Sequence, residues 1–296
     1  MELNDQLWRA TEPPSPSPAA TPGRPGPGDA PGHVRELLSI LRASHHQLAA
    51  LAGRLRAAEL CRPSYAREWT VAQVYSHLGS GAEIGLAAVR AALDGNGAPP
   101  APEPIWTRWN AKAPETMAND YVDADNRFLA TVEALDDTTR ERLQIPFHLN
   151  LVELPTYLTF RLTEHTLHSW DIRVAFDPEA TLAASAVRPL TEVLLTGAAE
   201  VSDRQTAGRL APAELVIATV EPDGRYLLTI DDGVSLRLLD GKQAAAIRPG
   251  AGRLELPTEA LMRLAAGRLD PDHTPARTVT KGMPTLGDLR KLFPGF

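Results

Sequence analysis

Apolar side chains recur every three or four positions over four long stretches of the first 176 residues. This spacing places them along one side of an α-helix, where they can be buried together. Thr70, with Gln73 three residues later, is a capping-box pair typical of a helix start. The pattern predicts helices at residues 33–60, 71–93, 114–135 and 155–176. Four amphipathic helices of this length favour a helical bundle.

The periodicity changes after Asp177, where apolar and polar residues begin to alternate in short runs. Alternation is typical of strands with one buried face, and the PDG and DDG sequences at 222–224 and 231–233 are good hairpin turns. The pattern predicts strands at 215–220, 226–230, 234–239, 243–248 and 253–256, and helices at 184–201, 258–269 and 285–293. The predicted fold class is therefore α+β with two domains, an N-terminal four-helix bundle and a smaller C-terminal α+β domain with an antiparallel sheet.

The start of the chain differs from both predicted domains because eight prolines lie between positions 13 and 31. Proline lacks a backbone donor and favours extended, solvated chain. We therefore expect a disordered arm at residues 1–32, the bundle at 33–180 and the α+β domain at 181–296.

Composition and charge narrow the classes of function. Hydrophobic residues make up 43% of the chain and charged residues 23%, as in ordinary globular proteins. The net charge of −7 argues against nucleic acid as a partner. Cys61 is the only cysteine, so no intramolecular disulfide can form. No stretch approaches the ~20 apolar residues of a membrane span and the first ten residues lack signal-peptide features, so we expect a cytoplasmic protein without a membrane partner.

Three residues of the predicted bundle could bind a metal ion. Glu164 and His168 lie four apart, and therefore on the same face of the fourth helix. His77 lies within the apolar stripe of the second helix, so it should face the interior. If the two helices are neighbours, these residues form a set of two histidines and one carboxylate that leaves coordination positions open.

The same residues also have simpler interpretations. A Glu and a His four apart are common as a solvated pair, and a histidine inside a bundle is usually a hydrogen-bonded core residue. His45 and His46 diverge by about 100° on their helix, so at most one faces the core. Near His77, Gly79 and Gly81 would allow close helix packing or ligand access, and packing is the simpler of the two explanations.

Two motifs together resemble those of the mycothiol-dependent maleylpyruvate isomerase family, which belongs to the DinB-like metal-binding four-helix bundles. They are Trp69-Thr-Val-Ala-Gln-Val-Tyr-Ser-His77-Leu78 and Glu164-His-Thr-Leu-His168-Ser-Trp170-Asp171. The resemblance covers roughly residues 33–176. It implies that His77, Glu164 and His168 hold Zn²⁺ or another divalent metal, and that the C-terminal α+β domain follows the family's.

The resemblance also implies an enzyme that uses mycothiol, a low-molecular-weight thiol, as cosubstrate. Coordination to a divalent metal deprotonates a thiol at neutral pH, and the sulfur can then attack a small electrophilic metabolite. Isomerisation results if the thiol is expelled, and S-transfer results if it stays. We favour an S-transferase acting in detoxification or antibiotic biosynthesis over a maleylpyruvate-type cis-trans isomerase. Arg161, Asp171 and Arg237 are the candidate catalytic residues, the arginines as partners for substrate carboxylates and Asp171 as a group that orients a ligand histidine.

Two other classes of function stay open. Two histidines and a carboxylate also suit Fe(II), so a non-haem iron sulfur-transfer enzyme is an alternative. A non-catalytic ligand-binding protein is another, in which the metal is structural or absent. The sheet edge and the bundle each offer a surface on which a homodimer could form.

Overall fold

The computed structural model describes residues 30–66, 68–95, 101–147, 150–245 and 251–295. These residues divide into two compact units, with the boundary between Ala180 and Thr181. The predicted arm at 1–32 lies outside the described residues except for positions 30–32, which form the start of the first helix instead.

The first unit is mainly helical, and its four long helices are α1, α3, α5 and α7. Its helices are α1 (Ala30–Ala52), α2 (Ala57–Leu60), α3 (Val71–Leu93), α4 (Glu103–Asn110), α5 (Pro114–Glu133), α6 (Asp137–Arg142) and α7 (Leu154–Arg173). A two-stranded antiparallel hairpin, β1 (Gln144–Phe147) and β2 (Asn150–Glu153), precedes α7. Helix α3 packs against α5 and α7, and α1 packs against α7 and α5. The predicted four-helix bundle is confirmed.

Local sequence explains where these helices begin. The capping box predicted at Thr70 is present, because the Gln73 N–H donates to Thr70 Oγ1 at 3.3 Å and the Thr70 N–H donates to Gln73 Oε1 at 2.8 Å. Prolines Pro114 and Pro155 occupy the first turns of α5 and α7, where no intrahelical donor is needed.

The single helix predicted over residues 33–60 is wrong, because the chain forms α1 and α2 with a turn between them. Gly53, a poor helix former, follows the last residue of α1. The Arg56 N–H then donates to Glu59 Oε2 at 2.9 Å, which caps the start of α2. Leu60 of α2 is buried, so the last apolar residue of the predicted helix still faces the interior.

The second unit combines a five-stranded sheet with helices. Its elements are α8 (Ala184–Glu200), α9 (Arg204–Leu210), β3 (Ala213–Val220), β4 (Gly224–Ile230), β5 (Val234–Leu238), α10 (Gly241–Ala245), β6 (Gly252–Pro257), α11 (Thr258–Ala265), β7 (Val279–Lys281) and α12 (Leu286–Leu292). The strand order is β5-β4-β3-β6-β7, and the two predicted hairpin turns join β3 to β4 and β4 to β5. All pairs are antiparallel except β3 and β6, which run parallel.

The strand predicted at 243–248 is wrong over residues 243–245, which lie in helix α10. Asp240 and Gln243 cap that helix reciprocally: the Gln243 N–H donates to Asp240 Oδ1 at 2.7 Å, and the Asp240 N–H donates to Gln243 Oε1 at 3.2 Å. Residues 246–248 lie outside the described residues.

Within the described ranges, none of the helices is both long enough and apolar enough to cross a bilayer.

Candidate metal centre

The three predicted metal ligands come together between helices α3 and α7. His77 Nε2 lies 2.8 Å from Glu164 Oε2, and His168 Nε2 lies 3.8 Å from the same oxygen. One ligand atom from each residue falls within 4.8 Å of the other two. Their side chains are only 15%, 10% and 7% exposed, respectively. The simpler interpretation of Glu164 and His168 as a solvated surface pair is therefore wrong.

Helix α7, which contributes Glu164 and His168, is buried on all sides around these residues. All eight residues from Arg161 to His168 are buried, which is more than two full turns of helix. Every side of the helix is therefore packed, and its polar side chains must find partners inside the bundle. Buried titratable groups of this kind make the segment a candidate functional site.

Asp171 fixes the orientation of one candidate ligand. Its Oδ2 atom lies 2.8 Å from His168 Nδ1, and the carboxylate is fully buried. A carboxylate on Nδ1 keeps the proton on that nitrogen, so Nε2 carries the lone pair that can bind a metal. The orienting role of Asp171 stays a prediction, and this contact supports it.

Trp69 contributes an aromatic wall that we did not predict. Its ring centroid lies 4.9 Å from that of His77 and 5.9 Å from that of His168. The position of Trp69 directly before the helix cap at Thr70 was visible in the sequence, but it gave no indication that the side chain turns back over the site.

The electrostatics of the site favour the protonation states that bind metal. Burial lowers the pKa of His77, more than its hydrogen bond with Glu164 raises it. Burial opposes ionisation of Glu164, yet the hydrogen bond from His77 and the nearby positive charges outweigh it and lower the pKa of Glu164 to about 2. At neutral pH the site thus presents a neutral imidazole and a carboxylate.

The lowered pKa of Glu164 predicts a loss of stability in acid. In the metal-free protein the carboxylate holds its charge more tightly when folded than when unfolded, where the pKa is near 4.5. Its contribution, roughly 3 kcal/mol, is complete above pH 4.5 and is lost as the pH falls toward 2. Urea unfolding of metal-free protein between pH 7 and 3 measures how the free energy of unfolding changes with pH. The variant Glu164→Gln should show a flatter acid limb, and equal slopes would contradict the assignment.

The two predicted catalytic arginines have different surroundings. Arg161 is 3% exposed, and its Nη2 donates to Asp125 Oδ1 at 3.3 Å and to the Leu78 carbonyl at 3.5 Å. Arg237 is an exposed residue of β5 in the second unit, where its Nη1 donates to Gln243 Oε1 at 3.4 Å. The role of Arg237 stays a prediction.

Sequence reasoning missed a second buried polar cluster in the bundle. His45 Nδ1 and His165 Nε2 lie 2.9 and 3.0 Å from the two carboxylate oxygens of Asp125. His45 is buried and His46 exposed, as expected for neighbours on a helix. Asp125 lies on the buried side of α5 among apolar residues, so its position within the apolar stripe was the available signal.

Comparison with known proteins identifies the helical unit. Residues 41–173 match the sequence profile of the mycothiol maleylpyruvate isomerase N-terminal domain. No curated protein matches the chain. A crystal structure of the mycothiol-dependent maleylpyruvate isomerase is similar, with a TM-score of 0.57 and 16% identity over 79% of this chain and 89% of that one. A histidine-to-alanine mutant of the mycothiol-dependent maleylpyruvate isomerase gives a TM-score of 0.60 and 15% identity, over 85% of this chain and 95% of that one.

The profile bears on the family of the helical unit, and the structures bear on the fold. The profile spans α3 and α7, and so includes all three members of the ligand set. The similarity to the two structures extends over 79% and 85% of this chain, so it reaches beyond the helical unit. Residues 41–173 of this chain therefore belong to the family of mycothiol maleylpyruvate isomerase N-terminal domains.

Proposed function

We propose that this chain is a mycothiol-dependent isomerase of the maleylpyruvate type, with a divalent metal held by His77, Glu164 and His168. The observation that carries the proposal is the buried convergence of these three side chains within 4.8 Å, inside the segment that matches the family profile. A match to the family profile alone would support only the fold. A cluster of metal ligands alone would not indicate that the cosubstrate is a thiol.

The donor set suits a catalytic zinc site. Zn²⁺ accepts histidine nitrogen and carboxylate oxygen, and its catalytic sites have three protein ligands. When bound, the metal would lower the pKa of a coordinated thiol so that the thiolate is available at neutral pH. The similar structures are named as a mycothiol-dependent isomerase, so mycothiol is the thiol that we propose for this chain.

The residues of this chain prepare the site for that ligand. Asp171 accepts a hydrogen bond from His168 Nδ1–H and so leaves Nε2 as the ligand atom. Burial keeps His77 neutral, and Glu164 supplies the single negative charge. Trp69, itself buried, packs beside both histidines and supplies an apolar wall to the site.

Isomerisation rather than S-transfer is our first choice, in contrast to the preference drawn from the sequence. The matching profile and both similar structures carry the name of an isomerase. Transfer to a larger metabolite in detoxification or antibiotic biosynthesis would use the same thiol, and nothing in the described residues favours it. The two reactions differ in one measurable respect: isomerisation returns the thiol, whereas S-transfer consumes it.

The test is turnover of maleylpyruvate by zinc-loaded protein with a substoichiometric amount of mycothiol. We expect many turnovers per thiol with free thiol unchanged at the end. Loss of thiol in proportion to product would replace the isomerase by an S-transferase. Turnover without mycothiol would contradict both.

Metal analysis separates the remaining classes. Protein purified without oxygen should carry about one zinc per chain. Stoichiometric iron with oxygen-dependent turnover would favour the iron enzyme. A ligand-binding function that survives His168→Ala would favour a non-catalytic protein.

Removing the charge that orients His168 should weaken metal binding. The variant Asp171→Asn keeps the size of the side chain but offers a weaker acceptor to Nδ1. We expect the Kd for Zn²⁺ to rise about 10- to 100-fold, as for other groups that hold a ligand histidine. Competition with a chromophoric chelator measures the Kd. An unchanged Kd would show that the helix alone orients His168.

A further inference from the structure

A single buried carboxylate joins three of the four long helices. Asp125 of α5 is 1% exposed and contacts His45 of α1 at 2.9 Å. It also contacts two residues of α7, His165 at 3.0 Å and Arg161 at 3.3 Å. All of these partners are at most 4% exposed. We call Asp125, His45, His165 and Arg161 the Asp125 cluster.

The Asp125 cluster reaches the fourth long helix through Arg161. Its Nη2 atom also donates to the carbonyl of Leu78, the residue that follows His77 in α3. A Cβ atom on Gly81 would lie 2.7 Å from Arg161 Nη1, so the guanidinium occupies space that only glycine leaves. Arg161 therefore lies directly between α3 and α7, the two helices that carry the candidate metal ligands.

The charges of the Asp125 cluster help to hold the Arg161 side chain in place. Burial opposes ionisation of Asp125, but the positive charges and hydrogen bonds of His165, His45 and Arg161 hold its pKa well below the ordinary range. An ion pair with so little exposure is costly to break, because either partner alone would be an uncompensated buried charge. Movement of Arg161 away from Gly81 would therefore disturb its ion pair with Asp125.

The Asp125 cluster does not resemble a second metal site. The guanidinium of Arg161 already supplies the positive charge that the carboxylate needs. Across the described ranges, the three-residue groups with ligand spacing comprise His77, Glu164 and His168 alone.

We propose that Arg161 is a positioning residue for the metal centre. Anchored by Asp125 and seated against Gly81, it sets the separation of α3 and α7, and with it the distance between His77 and Glu164. This inference rests on the proposed function, because it assumes that these residues bind a metal. It assigns Arg161 a role inside the bundle, in place of the predicted contact with a substrate carboxylate.

The variant Gly81→Ala tests the proposal by pushing against the guanidinium. We expect the Kd for Zn²⁺ to rise about 10- to 100-fold, the range found when groups supporting metal ligands are removed. Replacing Zn²⁺ by Co²⁺ should give altered d–d absorption bands, because the geometry of the ligands changes. Circular dichroism should show that helix content is retained.

A double-mutant cycle shows whether the effect passes through Arg161. The variant Arg161→Gln lacks Nη1, so the added methyl group of Gly81→Ala has space in that background. We expect Gly81→Ala to change the Kd little further when Arg161→Gln is present. Additive effects on the Kd would overturn the proposal. If Gly81→Ala does not fold, Asp125→Asn takes its place, because it frees Arg161 without adding volume.

The control is Val132→Ala, a core truncation two turns from Asp125 on the same helix. It should lower the Tm but leave the Zn²⁺ affinity and the Co²⁺ spectrum unchanged. Wild-type protein that binds no Zn²⁺ would overturn the proposed function and this inference with it. Wild-type binding with unchanged affinity and spectrum in Gly81→Ala and Asp125→Asn would overturn the inference alone.

Discussion

Replacing Glu164 with glutamine should reduce thiol-dependent kcat/KM by at least about 1,000-fold, equivalent to about 4 kcal/mol of transition-state stabilisation. The amide can still meet the Nε2 atom of His77, 2.8 Å away in the wild type, so the fold should survive. What is lost is the one negative charge of the ligand set, and with it the affinity for a divalent metal. Steady-state kinetics with parallel metal analysis measure both effects.

Helix α3 offers a matched control for Glu164→Gln. Glu83 also lies between helices, where its Oε2 accepts a hydrogen bond from Trp109 Nε1 at 2.8 Å. It lies outside the ligand set, so Glu83→Gln should keep bound metal and turnover close to wild-type values. If both variants lose activity equally, the effect of Glu164→Gln is one of stability. If Glu164→Gln retains metal and activity, the proposed metal centre is wrong.

Replacing Gly79 with alanine should destabilise the helical unit by about 2–3 kcal/mol. A Cβ atom at this position would lie 2.3 Å from the indole ring of Trp109, which is 1% exposed and is held by a hydrogen bond to Glu83. The close approach of α4 to α3 therefore depends on this glycine. Chemical denaturation measures the free energy of unfolding.

The control for Gly79→Ala is a glycine with open surroundings. Gly197 lies within α8, and a Cβ atom there would meet no atom within 4 Å among those described. Gly197→Ala should stabilise the second unit by roughly 0.5–1 kcal/mol, because alanine favours the helix. The two substitutions are chemically identical, so opposite signs would show that packing decides. If Gly79→Ala leaves the free energy of unfolding unchanged, helix α4 can shift away from α3.

The long helices could be predicted well because each carries a long stripe of apolar residues. Helix α3 has the predicted bounds, since a capping box at Thr70 and a turn after Leu93 mark both ends. Short helices and strands were harder to predict from the sequence. The hairpin of β1 and β2 has strands of only four residues, too short for alternation to stand out.

Strand direction and buried polar contacts lay beyond sequence reasoning. The parallel pairing of β3 with β6 leaves no trace in alternation, which is the same for both directions. The spacing of Glu164 and His168 predicted the ligand pair, because both lie on one helix. The contacts of Asp125 with His45 and His165 join positions 80 and 40 residues apart, and no local pattern encodes them.

The complete burial of α7 between Arg161 and His168 also bears on how far such a sequence can diverge. A helix with one solvent face can exchange residues on that face at little cost. This segment has no such face, so nearly every substitution would disturb either packing or a buried polar contact. Mutational tolerance should therefore be lowest between Arg161 and His168.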